Sequence, residues 1–192
     1  MKPPSGKVRV IGGRWRGTRL AVADSPGLRP TSDRARETLF NWLQPVLPRA
    51  RVLDLFAGSG VLGIEALSRG AAEALLVERD PSLAQGIEDS LHRIDADAPA
   101  RVVRADAVAF LRLPAHGRFD IVFVDPPFDA GLWQPALDAL GPWLAEGAWV
   151  YIESPSTGSV EPGNGWLPHR EMRTRDARHA LYRRAPAGPA SG

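Results

Sequence analysis

Short apolar runs alternate with polar, glycine-rich turns and with stretches of helical period, and this alternation sets the plan of the chain. Val52-Leu53-Asp54-Leu55, Ala74-Leu75-Leu76-Val77, Arg101-Val102-Val103-Arg104 and Phe119-Asp120-Ile121-Val122-Phe123-Val124 have strand length and β-branched content. Strand–helix units repeat from Val52 to about Ser154, which predicts an α/β fold with a mostly parallel sheet and right-handed crossovers. Asp80-Pro81 marks a helix start, with Asp80 as N-cap. Ahead of these units, residues 8–22 read as a small β-hairpin with Gly12-Gly13 at or near its turn and Arg9, Arg14, Trp15, Arg16 and Arg19 projecting from it. A helix is predicted from Ser32 or Asp33 to Leu43, where Ala35, Leu39, Trp42 and Leu43 form an apolar stripe before Pro45 and Pro48. Residues 154–165 form a Pro/Gly/Ser loop, and the last strands pair as an antiparallel hairpin. Residues 185–192 read as a disordered tail. Phe40, Trp42, Trp133, Trp143, Trp149 and Trp166 read as packing residues.

The first strand leads into Phe56-Ala57-Gly58-Ser59-Gly60-Val61-Leu62-Gly63 and then into the helical run Ile64-Glu65-Ala66-Leu67. This is the G-x-G-x-x-G pattern in its strand–turn–helix setting, and Glu78 ends the next strand about 20 residues on, where an acid binds a ribose. A nucleoside cofactor follows, and two kinds compete: a nicotinamide dinucleotide and S-adenosylmethionine. Asp54 favours the second. A carboxylate before the glycines repels pyrophosphate but meets a methionine ammonium, directly or through water. Asp106, followed by Ala107, is placed either to accept from an adenine amino group or to cap a helix.

At the end of the fourth strand stands Asp125-Pro126-Pro127-Phe128. Two prolines present carbonyls without competing N–H donors, the carboxylate adds a strong acceptor, and the ring offers a stacking surface. The set can hold an exocyclic amine by both hydrogens and aim its lone pair at an electrophile. A dehydrogenase has no use for such a socket. Phe128 has two readings, a base-stacking ring or a core residue. The residues do not separate guanine N2 from adenine N6, nor RNA from DNA.

Composition narrows the classes further. A chain of 192 residues is one domain by size. It has no cysteine, which removes disulfides, thiolate metal centres and methyltransferases that attack a pyrimidine through a cysteine. The four histidines show no metal-ligand spacing. No apolar run approaches the ~18 residues of a membrane span and no signal-peptide core is present, so the expected location is cytoplasmic. The net charge of +2 hides segregation: residues 1–51 carry +8, residues 52–165 carry −10 and residues 166–192 carry +4. Basic flanks around an acidic centre suit an anionic partner. Only Lys2 and Lys7 are lysines, and arginine suits phosphate forks and base stacking. A noncatalytic RNA chaperone stays open as a third class.

The chain resembles the RsmD-type 16S ribosomal RNA guanine-N2 methyltransferases, bacterial enzymes that modify guanine 966 of the small-subunit RNA. The resemblance is carried by Val10-Ile11-Gly12-Gly13-Arg14-Trp15-Arg16-Gly17, by Pro26-Gly27-Leu28-Arg29-Pro30-Thr31-Ser32-Asp33-Arg34-Ala35-Arg36-Glu37-Thr38-Leu39-Phe40-Asn41-Trp42-Leu43, by Phe56-Ala57-Gly58-Ser59-Gly60, by Glu65-Ala66-Leu67-Ser68-Arg69, by Asp125-Pro126-Pro127-Phe128 and, near the C-terminus, by Leu167-Pro168-His169-Arg170-Glu171 with Leu181-Tyr182. It implies a Rossmann-like class I S-adenosylmethionine-dependent methyltransferase, with an RNA-binding extension over residues 1–48 and a methyltransferase core over residues 49–184. It implies Asp125, Pro126, Pro127 and Phe128 as the catalytic group, and Asp54, Phe56, Gly58, Gly60, Glu78, Asp106 and Ala107 around S-adenosyl-L-methionine. Arg9, Arg14, Trp15, Arg16, Arg19, Arg29, Arg34 and Arg36 are then the RNA-binding set. The implied partner is 16S ribosomal RNA within the small subunit or its assembly intermediate, met by a monomer away from any membrane. One departure, Arg175-Asp176-Ala177-Arg178 where the family carries Gly-Gln-Val, is expected to touch the final hairpin and not the active centre.

Overall fold

The computed structural model describes residues 7–21, 31–95 and 100–186. The tail expected as disordered over 185–192 lies outside these residues from 187 onward, as do Arg29 and the Pro26–Pro30 stretch.

Strands β3 (Arg51–Asp54), β4 (Glu73–Glu78), β5 (Ala100–Arg104), β6 (Phe119–Val124), β7 (Leu144–Pro155), β8 (Trp166–Arg173) and β9 (Ala177–Arg184) make one seven-stranded sheet in the order β5-β4-β3-β6-β7-β9-β8. The first five are mutually parallel, and β9 runs antiparallel to both β7 and β8. Because successive side chains alternate across a strand, each central strand feeds two cores. Val52, Leu76, Ile121, Phe123, Tyr151 and Leu181 pack on one face, under α1 (Asp33–Leu43), α2 (Val61–Ser68) and α3 (Pro81–Arg93). Leu53, Leu75, Val122 and Val150 pack on the other, under α4 (Ala107–Leu111) and α5 (Trp133–Ala139). Helix α2 is buried on every side, and Gly63 shows why it carries no larger residue there: a Cβ would come within 2.7 Å of Leu76. Helix α3 begins as its sequence predicts, with the Asp80 carboxylate accepting from the Ser82 and Leu83 N–H groups.

The hairpin of β1 (Lys7–Arg9) and β2 (Arg19–Ala21) is present, and it is lashed to α2 rather than free-standing. The Glu65 carboxylate accepts from the Ile11 and Gly12 N–H groups at 2.9 and 2.7 Å. The Ser68 carbonyl takes the Arg14 N–H at 2.7 Å and the Ser68 hydroxyl takes that of Trp15. Two expectations for this extension need correction. Trp15 does not project: it is 9 % exposed and joins the core with Val8, Val10 and Leu20. Arg36 is not a surface arginine either. It is fully buried, donating to the Arg9 and Thr31 carbonyls and pairing with Asp33 and Glu65, because its place beside Phe40 and Leu43 on α1 faces the hairpin. The remaining arginines of the set in the described residues, Arg9, Arg14, Arg16, Arg19 and Arg34, are exposed.

Candidate active site

The C-terminal ends of the parallel strands open into a cavity of about 830 Å³, large enough for a nucleoside cofactor together with a base. Its wall takes Phe56, Ala57, Gly58 and Ser59 from the glycine turn, Glu78 from the end of β4, Asp106 and Ala107 from the start of α4, and Asp125, Pro126, Pro127 and Phe128 from the end of β6. Thr31 and Ser32 close it on one side, and Thr174, Arg175, Asp176 and Ala177 on another.

The glycine turn is built around two carboxylates. Glu78 accepts the Gly58 N–H at 2.8 Å and that of Asp80 at 2.8 Å, and Asp54 accepts the Gly63 N–H at 3.1 Å. Gly60 sits at φ +76°, the left-handed conformation that lets the chain reverse into α2. In a dinucleotide-binding turn, the N–H groups at the start of this helix are offered to pyrophosphate. Here the Gly63 N–H is held by Asp54, and the Gly58 N–H in the turn ahead of the helix by Glu78, so two acids stand where a diphosphate would have to sit and the turn suits a cationic or neutral ligand better. Asp54 and Gly60 are not on the cavity wall, so of the two ways open to Asp54, direct or through water, the structure leaves room for the indirect one. Asp54 lies behind the wall, 1 % exposed, where burial above all and then the Glu78 charge push its carboxyl up to about 7 against the opposing hydrogen bond from Gly63. The Asp106 carboxylate caps α4 through the Ala109 N–H at 2.9 Å, and the residue also lines the cavity.

On the acceptor side, no described residue hydrogen-bonds the Asp125 carboxylate, which faces the cavity. Burial, then the charges of Glu153 and Asp54, hold it well above the usual carboxylate range. The Pro127 carbonyl takes the Ala130 N–H at 3.0 Å, whereas the Pro126 carbonyl has no partner among the described residues. Phe128 is half-buried on the wall, tilted against Trp133 with ring centroids 6.0 Å apart, so it is a wall residue rather than a core one.

Sequence reasoning missed the group beside Asp125. Glu153, at the end of β7, accepts from the Thr31 hydroxyl at 2.8 Å and the Tyr151 hydroxyl at 2.9 Å, and His179 Nδ1 lies 2.7 Å from the same Tyr151 oxygen. Trp133 Nε1 donates to the Glu153 carbonyl at 2.7 Å. His179, to which the sequence assigned no chemistry, is thus part of the wall. Alternation could have placed Tyr151, Glu153 and His179 on the face of Asp125 once strand pairing was known; nothing local pointed to them. The departure at Arg175–Arg178 also reaches the cavity, contrary to expectation. Arg178, 5 % exposed, is held by Glu161, Glu171 and Tyr182 and braces the turn that carries Arg175 to the rim.

The Arg14–Gly17 tip of the basic hairpin lies away from this cavity. Ser68, its anchor, is seven residues along α2 from the cavity-lining Val61, about 10 Å at 1.5 Å per residue. Among the described residues, no group of His, Asp and Glu could hold a metal ion, and no helix is long and apolar enough to cross a membrane.

The family described as conserved hypothetical protein 95 matches residues 8–183. The ribosomal RNA small subunit methyltransferase D of Escherichia coli (strain K12) is 47 % identical over 196 residues, covering 98 % of each chain. A solved structure of an Escherichia coli protein named as a methyltransferase, yhhF, superposes with a TM-score of 0.86 at 45 % identity over 94 % of this chain and 99 % of that one. An RNA methyltransferase from Salinibacter ruber, solved with S-adenosyl-L-homocysteine, shares the fold at 17 % identity and a TM-score of 0.65, over 85 % of this chain and 98 % of that one.

Proposed function

Since the chain belongs to the family of ribosomal RNA small subunit methyltransferases D, we propose that it transfers a methyl group from S-adenosyl-L-methionine to a guanine N2 of 16S ribosomal RNA, the expected nucleotide being guanine 966. The observation that carries this reading is the Asp125 carboxylate beside the Pro126 carbonyl, neither with a hydrogen-bond partner among the described residues, on the wall of an acid-lined cavity with a glycine turn. Phe56, Ala57, Gly58, Glu78, Asp106 and Ala107 would hold the cofactor, with the Glu78 oxygens at the ribose. When bound, S-adenosylmethionine supplies a methyl already activated as a sulfonium, so no metal or covalent enzyme intermediate is needed.

The protein's own work is positioning and electrostatics. Guanine N2 is a weak nucleophile because its lone pair is delocalised into the ring. Asp125 and the Pro126 carbonyl accept its two hydrogens and favour a pyramidal nitrogen whose lone pair points away from them. The proton lost as N2 becomes alkylated goes to Asp125. A cation in the cavity favours the charged form of this carboxylate, which burial otherwise opposes. Phe128 stacks on the base, which leaves its own helix to enter. Arg9, Arg14, Arg16, Arg19 and Arg34 of the extension, with Arg79 and Arg175 at the cavity, contact RNA phosphates; the hairpin tip reaches phosphates distant from the target rather than the target loop itself. The acceptor is the small subunit or its assembly intermediate, met by a monomer.

The test is methyl transfer from labelled S-adenosylmethionine to small subunits lacking the modification, with the product nucleoside identified by mass spectrometry. N2-methylguanosine at the expected loop supports the reading. Label on DNA or on adenine alone overturns the substrate, and no label from folded protein overturns the activity.

A further inference from the structure

The acceptor side of the cavity brings together two carboxylates, Asp125 and Glu153, and the Pro126 carbonyl. Val124, the last residue of β6, pairs with Ile152 of β7, and Asp125 follows it close enough to Glu153 for the charge of one to raise the carboxyl of the other. Neighbouring strands are about 4.8 Å apart, which brings the two carboxylates within the width of one base edge. The Glu153 side chain is only 10 % exposed. Its Oε2 is taken by Thr31 and Tyr151, while its Oε1 has no partner among the described residues and is open to the cavity. The two hydroxyl bonds, together with the Trp133 bond to its carbonyl, fix where that oxygen points.

We propose that Glu153 selects the target base: Oε1 accepts the N1–H of guanine while Asp125 and the Pro126 carbonyl hold the 2-amino group. The inference rests on the guanine-N2 reading above and deepens it, because it makes the choice of base a property of this cavity. Guanine presents contiguous donors, N1–H and the amino group. Adenine and cytosine present an amine beside a bare ring nitrogen, whose lone pair would meet a desolvated carboxylate. A site built to accept a hydrogen rejects the analogue that lacks it, because its own buried polar atom is left unpaired. Asp125 alone makes no such distinction, since every exocyclic amine satisfies it.

The experiment compares guanine with 2-aminopurine at the target nucleotide of small subunits rebuilt around a synthetic RNA segment. 2-Aminopurine keeps the 2-amino group but has a bare N1. The wild-type protein is expected to methylate guanine faster by at least about tenfold, the scale of one base-edge discrimination. In Glu153→Gln the amide oxygen retains the Thr31 and Tyr151 hydrogen bonds and the amide N–H faces N1, so the preference is expected to narrow or reverse. A purely structural glutamate would slow both substrates in equal proportion. Equal rates for the two bases in the wild type overturn the proposal without any variant, and an unchanged ratio in folded Glu153→Gln overturns it as well. Failure of the wild type to methylate guanine N2 at all sinks the underlying reading instead.

Discussion

Asp125, just past the end of β6, and Glu153, near the end of β7, face the same cavity, one carboxylate without a hydrogen-bond partner among the described residues and the other held by two hydroxyls. Their proximity makes the state of one depend on the other. Burial is the larger cause of the raised Asp125 carboxyl, and the Glu153 charge is the next. An ionised Asp125 is needed to accept the amine hydrogens, so activity should rise with pH through a value above the ordinary carboxylate range. Replacing Glu153 by Gln removes one of the raising causes and should move that acid limb to lower pH. Profiles of kcat/KM against pH for the two proteins check this, and superimposable limbs would count against the coupling. Asp125→Ala should abolish transfer while S-adenosylmethionine still binds.

Asp54 predicts a dependence of stability on pH in the cofactor-free protein. Its folded carboxyl, pushed to about 7, holds a proton that the unfolded chain has released above about 4. The folded state therefore binds more protons in that window, and stability falls as pH rises from about 4 to 7. The span corresponds to a loss on the order of 4 kcal/mol. Asp54→Asn keeps an oxygen for the Gly63 N–H and should flatten this part of the curve. Urea unfolding at pH 5 and pH 8 would show it.

Glu78→Gln tests the ribose assignment with less damage to the turn than alanine, because one oxygen remains for a backbone N–H. Loss of the charged acceptor should weaken S-adenosylmethionine binding by about 1.5–3 kcal/mol. Calorimetric titration gives the value directly. Unchanged affinity would leave Glu78 as a brace for Gly58 and Asp80 and nothing more.

The two arginines of α1 separate structure from RNA contact. Arg36→Met leaves Glu65 without one of its buried cations and should cost about 3–5 kcal/mol of stability. Arg34→Ala should change stability by less than about 0.5 kcal/mol yet lower the slope of RNA affinity against salt by roughly one phosphate contact. Denaturant curves and binding titrations at several salt concentrations give both numbers.

The strands, the glycine turn and Asp125-Pro126-Pro127-Phe128 were legible because each is a local pattern: alternation, a required backbone conformation, or adjacent residues of unusual chemistry. Arg36 was misread although a local signal existed, since it falls four residues before Phe40 and seven before Leu43 on the apolar stripe of α1. Its charge argues for the surface and its place on the stripe for the core, and the place decides. The turn that carries Asp54 and Gly60 is a local pattern too, but sequence order does not say which of its atoms face outward, and these two residues lie behind the cavity wall. Glu153 was invisible for a different reason. Its partners Thr31 and His179 lie 122 and 26 residues away, and only the pairing of β7 with β9 and the entry to α1 bring them together.

That distance in sequence also sets a schedule. The strand written last, β9, is inserted between β7 and β8 rather than added at the edge, and it delivers His179 and the turn at Arg175. The Thr31 hydroxyl meanwhile waits for a glutamate more than a hundred residues downstream. Closing so long a loop precedes any reward from the contact, and folds dominated by such pairings form slowly. A nascent chain emerging from the ribosome can assemble the glycine turn early, but the part of the wall that His179 supplies exists only after residues 177–184 have been synthesised and slotted into the sheet. Synthesis of the glycine turn and completion of the cavity are thereby separated in time.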